Sequence, residues 1–216
     1  MRDADRPQQR RLSFTPVGVA DLGQSPDLLT RDLGGGDMLT APSWRSESPA
    51  GVPAALRGVW DDARRAEIGA AILATRLPFA GATWQHLERE LADYADSWRA
   101  THADACAAHR DRRQSDTLYD LRMRCLERAR TGLAALVEVL AHIDAEALQG
   151  APLATGALPP LAACADLDGL LADPLRPPRD PARAAAVARA EAGLARVRAL
   201  EGTGLYARAV AAADAL

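Results

Sequence analysis

The chain has 216 residues, a formal net charge of −3 and no Lys or Asn, and only 4% of it is aromatic against 48% hydrophobic. That length allows one domain with a buried core, or a smaller domain with an extension. The charge balance gives no general attraction to phosphate or anionic lipid, so nucleic acid is not an expected partner. Lacking Lys and Asn, the chain has neither the ATP-phosphate lysine nor the magnesium-binding asparagine of a protein kinase, and cannot be one by itself. Abundant Ala, Leu and Arg with few β-branched or aromatic residues favour an all-α fold.

Residues 1–53 are broken by Pro7, Pro16, Pro26, Pro42, Pro49, Pro53 and Gly34-Gly35-Gly36. No apolar period survives this punctuation, and the segment reads as a disordered arm. The charged start, Met1 to Arg11, is followed by no signal-peptide core, and no run reaches membrane-spanning length. Taken at face value the chain is expected to be soluble and cytoplasmic, with no membrane insertion of its own.

Order is expected over residues 54–150. Leu56, Val59 and Trp60 are helically spaced, and Asp61-Asp62 can cap a helix from Ala63 to Thr75 with Ile68, Ile72 and Leu73 on its apolar side. Thr83 is the expected cap of a long second helix, in which Trp84, Leu87, Leu91, Tyr94, Trp98 and Ala105 recur every three or four residues to about His109. After the polar segment Arg110 to Asp116, the stripe Leu118, Leu121, Cys125, Gly132, Leu136, Val139 and Ile143 predicts a third helix to about Ala147. The pair forms a long antiparallel hairpin whose seams also need flanking helices. In such a seam Trp84, Tyr94 and Trp98 are core residues. Arg110, Arg112, Arg113, Arg122, Arg124, Arg128 and Arg130 make the turn and third helix locally basic. With Asp111, Asp116, Asp120 and Glu127 interleaved they read as a solvated face, and next as a surface for an acidic protein.

Residues 151–181 read as a Pro-rich connector, and residues 182–216 as a helix to about Glu201 followed by a turn at Gly202-Thr203-Gly204 and a second helix. The spacing Gly204-x-Tyr206-x-x-Ala209 is like the turn and second helix of a tetratricopeptide repeat. One such unit cannot bury its own face.

Several separated stretches, in order, carry a resemblance: Ala82-Thr83-Trp84, Leu91-Ala92-Asp93-Tyr94, Trp98, Ala105-Cys106, Gln114-Ser115, Asp120-Leu121-Arg122-Met123, Cys125-Leu126 and Leu158-Pro159-Pro160-Leu161-Ala162-Ala163-Cys164-Ala165-Asp166. Over roughly residues 56 to 216 the chain resembles the region between the kinase domain and the tetratricopeptide repeats of large bacterial serine/threonine protein kinases. The resemblance implies a non-catalytic regulatory or sensory module in kinase signalling, possible association with a kinase domain, and an extracytoplasmic position if the chain belongs to a longer membrane kinase. Family members commonly carry Gly where this chain has Arg112, and a Cys where it has Pro49.

Three chemical readings remain. His109-Arg110-Asp111 spells the start of a kinase catalytic loop, but without its other parts it reads as a helix-end turn. Cys106 and Cys125 lie at nearly equal distances from a turn near Ser115, so the hairpin brings them level. A Cys106 to Cys125 disulfide and packed reduced thiols are both open, with Cys164 expected to stay a thiol. His102, Cys106 and His109 share one helical face, and with Cys125 across the hairpin they offer a zinc-type ligand set as a further alternative. No catalytic residue or cofactor is assigned, and the expected partner is a protein or peptide.

Overall fold

The computed structural model describes residues 55–172, 178 and 180–216, and among them every regular element is helical. The arm expected at residues 1–53 and most of the Pro174 to Pro181 linker lie outside the described residues. No described helix is long and apolar enough to cross a membrane.

Leu56, Val59 and Trp60 are buried in a short turn that leads into α1 (Asp62–Ala74). The Asp61 side chain caps that helix by accepting from the Arg64 N–H at 3.0 Å, which satisfies one of the donors a helix start leaves free. Ile68 and Ile72 are fully buried, but Leu73, expected beside them, is 52% exposed. Helix α1 ends at Thr75, before Pro78 is reached.

Helix α2 (Ala80–Arg110) begins three residues ahead of the expected cap. Thr83 lies inside it and is buried, and Phe79 takes the cap position without a side-chain bond. A threonine ahead of an apolar period resembles a cap, yet Ala80 extends the buried stripe upstream and draws Thr83 into the core with it. Trp98 is 2% exposed, and its indole N–H donates to the Leu126 carbonyl at 2.8 Å. Trp84 and Tyr94 pack partly buried against the same core.

The turn after α2 follows from its hydrogen bonds. Arg113 N–H donates to Ala108 at 2.8 Å and Arg112 N–H to His109 at 3.0 Å, the paired bonds of a Schellman stop, with Arg112 at its left-handed position, φ 56°. Glycine is the usual residue at such a position; Arg112 adopts the same conformation at the steric cost of a Cβ. His109-Arg110-Asp111 is the end of α2, with Asp111 as its cap.

Helix α3 (Asp116–Ala141), capped by Ser115, is the centre of the fold and packs against α1, α2, residues 151–172 and the long helix that starts at Pro181. It stops at Ala141, short of the expected Ala147. Its expected stripe is buried apart from Leu121, which is half-buried, and a second stripe of Leu126, Leu133, Val137 and Leu140 is buried as well. Arg122 is also buried, at 3% exposure, and is not part of a solvated basic face. Its guanidinium donates to Asp104 at 2.6 Å and to Gln114 at 3.1 Å, and Gln114 donates to the Ala105 carbonyl at 2.8 Å. These bonds compensate the loss of water around a buried cation and join α3 to the end of α2.

Residues 151–172, expected as connector, are folded. A 3-10 segment (Ala151–Ala157) is followed by α4 (Ala162–Ala165) and α5 (Leu167–Ala172), and Ala151, Ala154, Cys164 and Leu170 join the core. Small apolar residues and prolines here form tight turns against α3.

Helix α6 (Pro181–Gly202) starts with Asp180 accepting from the Arg183 N–H at 2.8 Å and Pro181 in the first turn. It ends in a second Schellman stop, with Gly204 at φ 79° and Leu205 N–H on Leu200 at 2.9 Å. Helix α7 (Tyr206–Asp214) folds back to complete the expected helix pair. Of α6 only Ala199 and Leu200 are fully buried, both near its C-terminal end.

Candidate protein-binding groove

Two helical stripes face each other where α6 crosses α3. Arg128, Thr131, Gly132 and Leu136 recur at three- and four-residue steps on α3, and Glu191, Leu194, Ala195, Arg198 and Ala199 do so on α6. Ala157, Leu158 and Pro159 close one side, and together these residues line a groove of about 390 Å³. That volume lies in the range of clefts that hold a small ligand or a few side chains of a partner. The floor is apolar, with Leu136 fully buried, while Leu194 at the rim is 41% exposed.

Three contacts hold the side wall in place. A Cβ added at Gly132 would sit 2.7 Å from the Pro159 ring, so the absent side chain is what lets the wall close on α3. Tyr94 on α2 donates its hydroxyl to the Pro159 carbonyl at 2.8 Å. Burial pushes the Tyr94 pKa up to about 12, which keeps the phenol protonated and donating. Cys164, five residues beyond Pro159, forms a disulfide with Cys125 on α3.

That disulfide corrects the expected pairing: Cys125 is bonded to Cys164, with Cα atoms 5.4 Å apart, and Cys106 is the free thiol. The contacts between the two hairpin helices set Trp98 against Leu126, Asp104 against Arg122 and Cys106 against Tyr119. Cys106 therefore lies level with Tyr119 and not with Cys125, and Cys125 faces the layer that holds Cys164. Cys125 shares its side of α3 with Gly132 and Leu136, toward the wall and α6. Leu126 and Arg122 face α2 instead.

The four residues weighed as metal ligands are likewise not brought together. Cys106 Sγ lies 3.7 Å from His102 Nδ1 and 3.9 Å from the Tyr119 hydroxyl. The His102 ring stacks on Trp98 and the His109 ring on Tyr119, with centroids 5.0 and 4.2 Å apart. Burial lowers the pKa of His102, in keeping with an aromatic packing role for a neutral ring. With Cys125 committed to the disulfide, no group of three or more candidate ligands converges among the described residues.

A shallower cleft between α1 and α2 is lined by Arg65, Gly69, Leu73, Trp84 and Glu88. Arg65 and Glu88 close on each other across it at 2.6 Å.

The groove was not identifiable from the sequence, because its α3 half reads as ordinary seam and its side wall as connector. The one available signal was on α6, where Val187, Leu194 and Val197 fall at helical spacing but are too few to bury a face of so long a helix. Compared with known protein families, curated proteins and solved structures, the chain matches none.

Proposed function

We propose that this chain is a non-catalytic helical module that recognises a segment of another protein, and that it acts in serine/threonine kinase signalling. The observation that carries the reading is the groove between α3 and α6: an apolar floor, an exposed leucine at the rim, and a side wall held by a disulfide, a buried tyrosine and a glycine contact. A preformed apolar cleft between helices is the usual receptor for an amphipathic helix or an apolar peptide anchor. The resemblance to the segment between kinase and repeat domains supports the signalling context, and the absence of Lys and Asn from the sequence supports a role without phosphoryl transfer of its own.

The test is a photo-crosslinking amino acid placed at Leu194 in the full chain, in the cells that make it, with the same residue at exposed Asp96 as control. A discrete protein adduct from position 194, absent from position 96 and lost when Thr131→Arg fills the groove from its partly exposed α3 wall, supports the reading. Adducts that do not depend on position overturn it.

A further inference from the structure

The groove is flanked by two arginines that form no ion pair among the described residues. On α3, Arg122 is held by Asp104 at 2.6 Å and Arg130 by Glu127 at 2.7 Å. Arg128, which lines the groove, has no carboxylate at ion-pair distance among the described residues, and neither has Arg198 across from it on α6. One carboxylate, Glu191, lines the same groove, so its charged rim is net positive in a chain whose overall charge is negative. Both arginines are exposed, and their guanidinium forks suit a carboxylate.

The apolar surface does not end at the cavity. Val187 lies four residues before Glu191 and seven before Leu194, on the same side of α6, and is 44% exposed. From Val187 to Arg198 this stripe spans about 16 Å at the rise of an α-helix. An occupant that covers it is elongated, whereas a small ligand would fill only the pocket between Leu136, Pro159 and Leu194.

We infer that the groove takes an acidic amphipathic helix of a partner protein, with apolar side chains at helical spacing on Leu194 and Val187 and one or more carboxylates on Arg128 and Arg198. This inference rests on the reading of the groove as a protein-binding surface and specifies the chemistry of its partner. Apolar contact supplies the anchor, and the two guanidinium groups select against basic helices.

The test is selection of displayed helical peptides, about three to four turns long with randomised exposed positions, on the full oxidised chain. Selected peptides are then measured by fluorescence polarisation against wild type, Arg128→Glu/Arg198→Glu, the milder Arg128→Gln/Arg198→Gln and Leu194→Arg. All altered side chains are exposed, and circular dichroism confirms that each variant keeps its helix content. The expected result is enrichment of Asp and Glu beside apolar pairs at i and i+4. The charge reversals should weaken binding about tenfold or more, the glutamine pair less, and added salt should weaken it further. Peptides that bind the charge-reversed variant equally but lose affinity with Leu194→Arg would overturn the acidic partner while leaving the groove reading intact. Peptides indifferent to Leu194→Arg would overturn both. Failure to select any helix, with dodecanoate saturating the groove in a dye-displacement assay, would overturn the proposal in favour of a small amphiphile.

Discussion

Replacing Cys164 by Ala removes the link between α4 and α3 and tests the packing of the whole segment from residue 158 to residue 165. The bridged cysteines are 39 residues apart in sequence, and closing a loop of that length lowers the entropy of the unfolded chain by an amount equivalent to about 4 kcal/mol at room temperature. Ala fits the space of the buried thiol with one atom fewer, so the cavity contribution is small beside the loop effect. Urea unfolding followed by circular dichroism, with and without a dithiol reductant, separates the two. Oxidised wild type is expected to exceed Cys164→Ala by about 3–5 kcal/mol, and reduced wild type to fall close to the variant. Cys106→Ala is expected to retain the full redox-dependent difference. Should Cys106→Ala abolish that difference, or Cys164→Ala preserve it, Cys106 would be the partner of Cys125 and the placement of residues 158–165 against α3 would be wrong.

Other outcomes follow from single contacts. Trp98→Ala is expected to cost about 3–5 kcal/mol in the same unfolding assay, from the lost indole and its cavity; a cost below about 1 kcal/mol would contradict its burial. Arg112→Gly should stabilise by about 1 kcal/mol, because the residue already sits in the left-handed region, and a destabilised variant would mean that the turn is built differently. Tyr94 provides a pH test in a chain without Lys, measured in a Tyr119→Phe background because burial raises the Tyr119 pKa as well. The folded pKa of Tyr94 is raised to about 12 from 10.0, so between those values the folded state binds more protons than the unfolded one and stability falls as pH rises, by on the order of 2 kcal/mol. Tyr94→Phe should flatten most of that alkaline loss; an unchanged slope would show that the phenol is solvated.

The features legible in the sequence were those governed by local chemistry. Apolar periods located α2 and α3, Asp61 marked the start of α1, and Gly202-Thr203-Gly204 marked the stop of α6. What failed depended on rotation about a helix axis or on distant partners. Symmetry about Ser115 would set Cys106 and Cys125 level, but the turn is made at Arg112 and sets Cys106 against Tyr119, and which layer Cys125 faces is decided by which α3 stripe the large residues of α2 occupy. Trp98 takes the Leu126 side, which turns Cys125 toward Cys164. A central helix buried on two stripes, Leu126–Leu133–Leu140 and Cys125–Gly132–Leu136, demands a further layer, and the segment after Pro159 is the part of the chain that supplies both that layer and a cysteine. Arg122 was misread for a related reason. Charge patterning treats an arginine as solvated, whereas Gln114 and Asp104 hold the two terminal nitrogens of this one inside the fold. The groove depends on α6 crossing α3, a tertiary arrangement with no periodic signature in either helix.

Hydrogen–deuterium exchange of the full chain, free and saturated with a helix selected on it, locates the binding surface most directly. Protection is expected in α6 around residues 191–198, in α3 around residues 128–136 and at residues 157–159, with little change in α1. Protection confined to α1 and the start of α2, around Leu73 and Trp84, would place the partner in the other cleft and contradict the assignment of the groove.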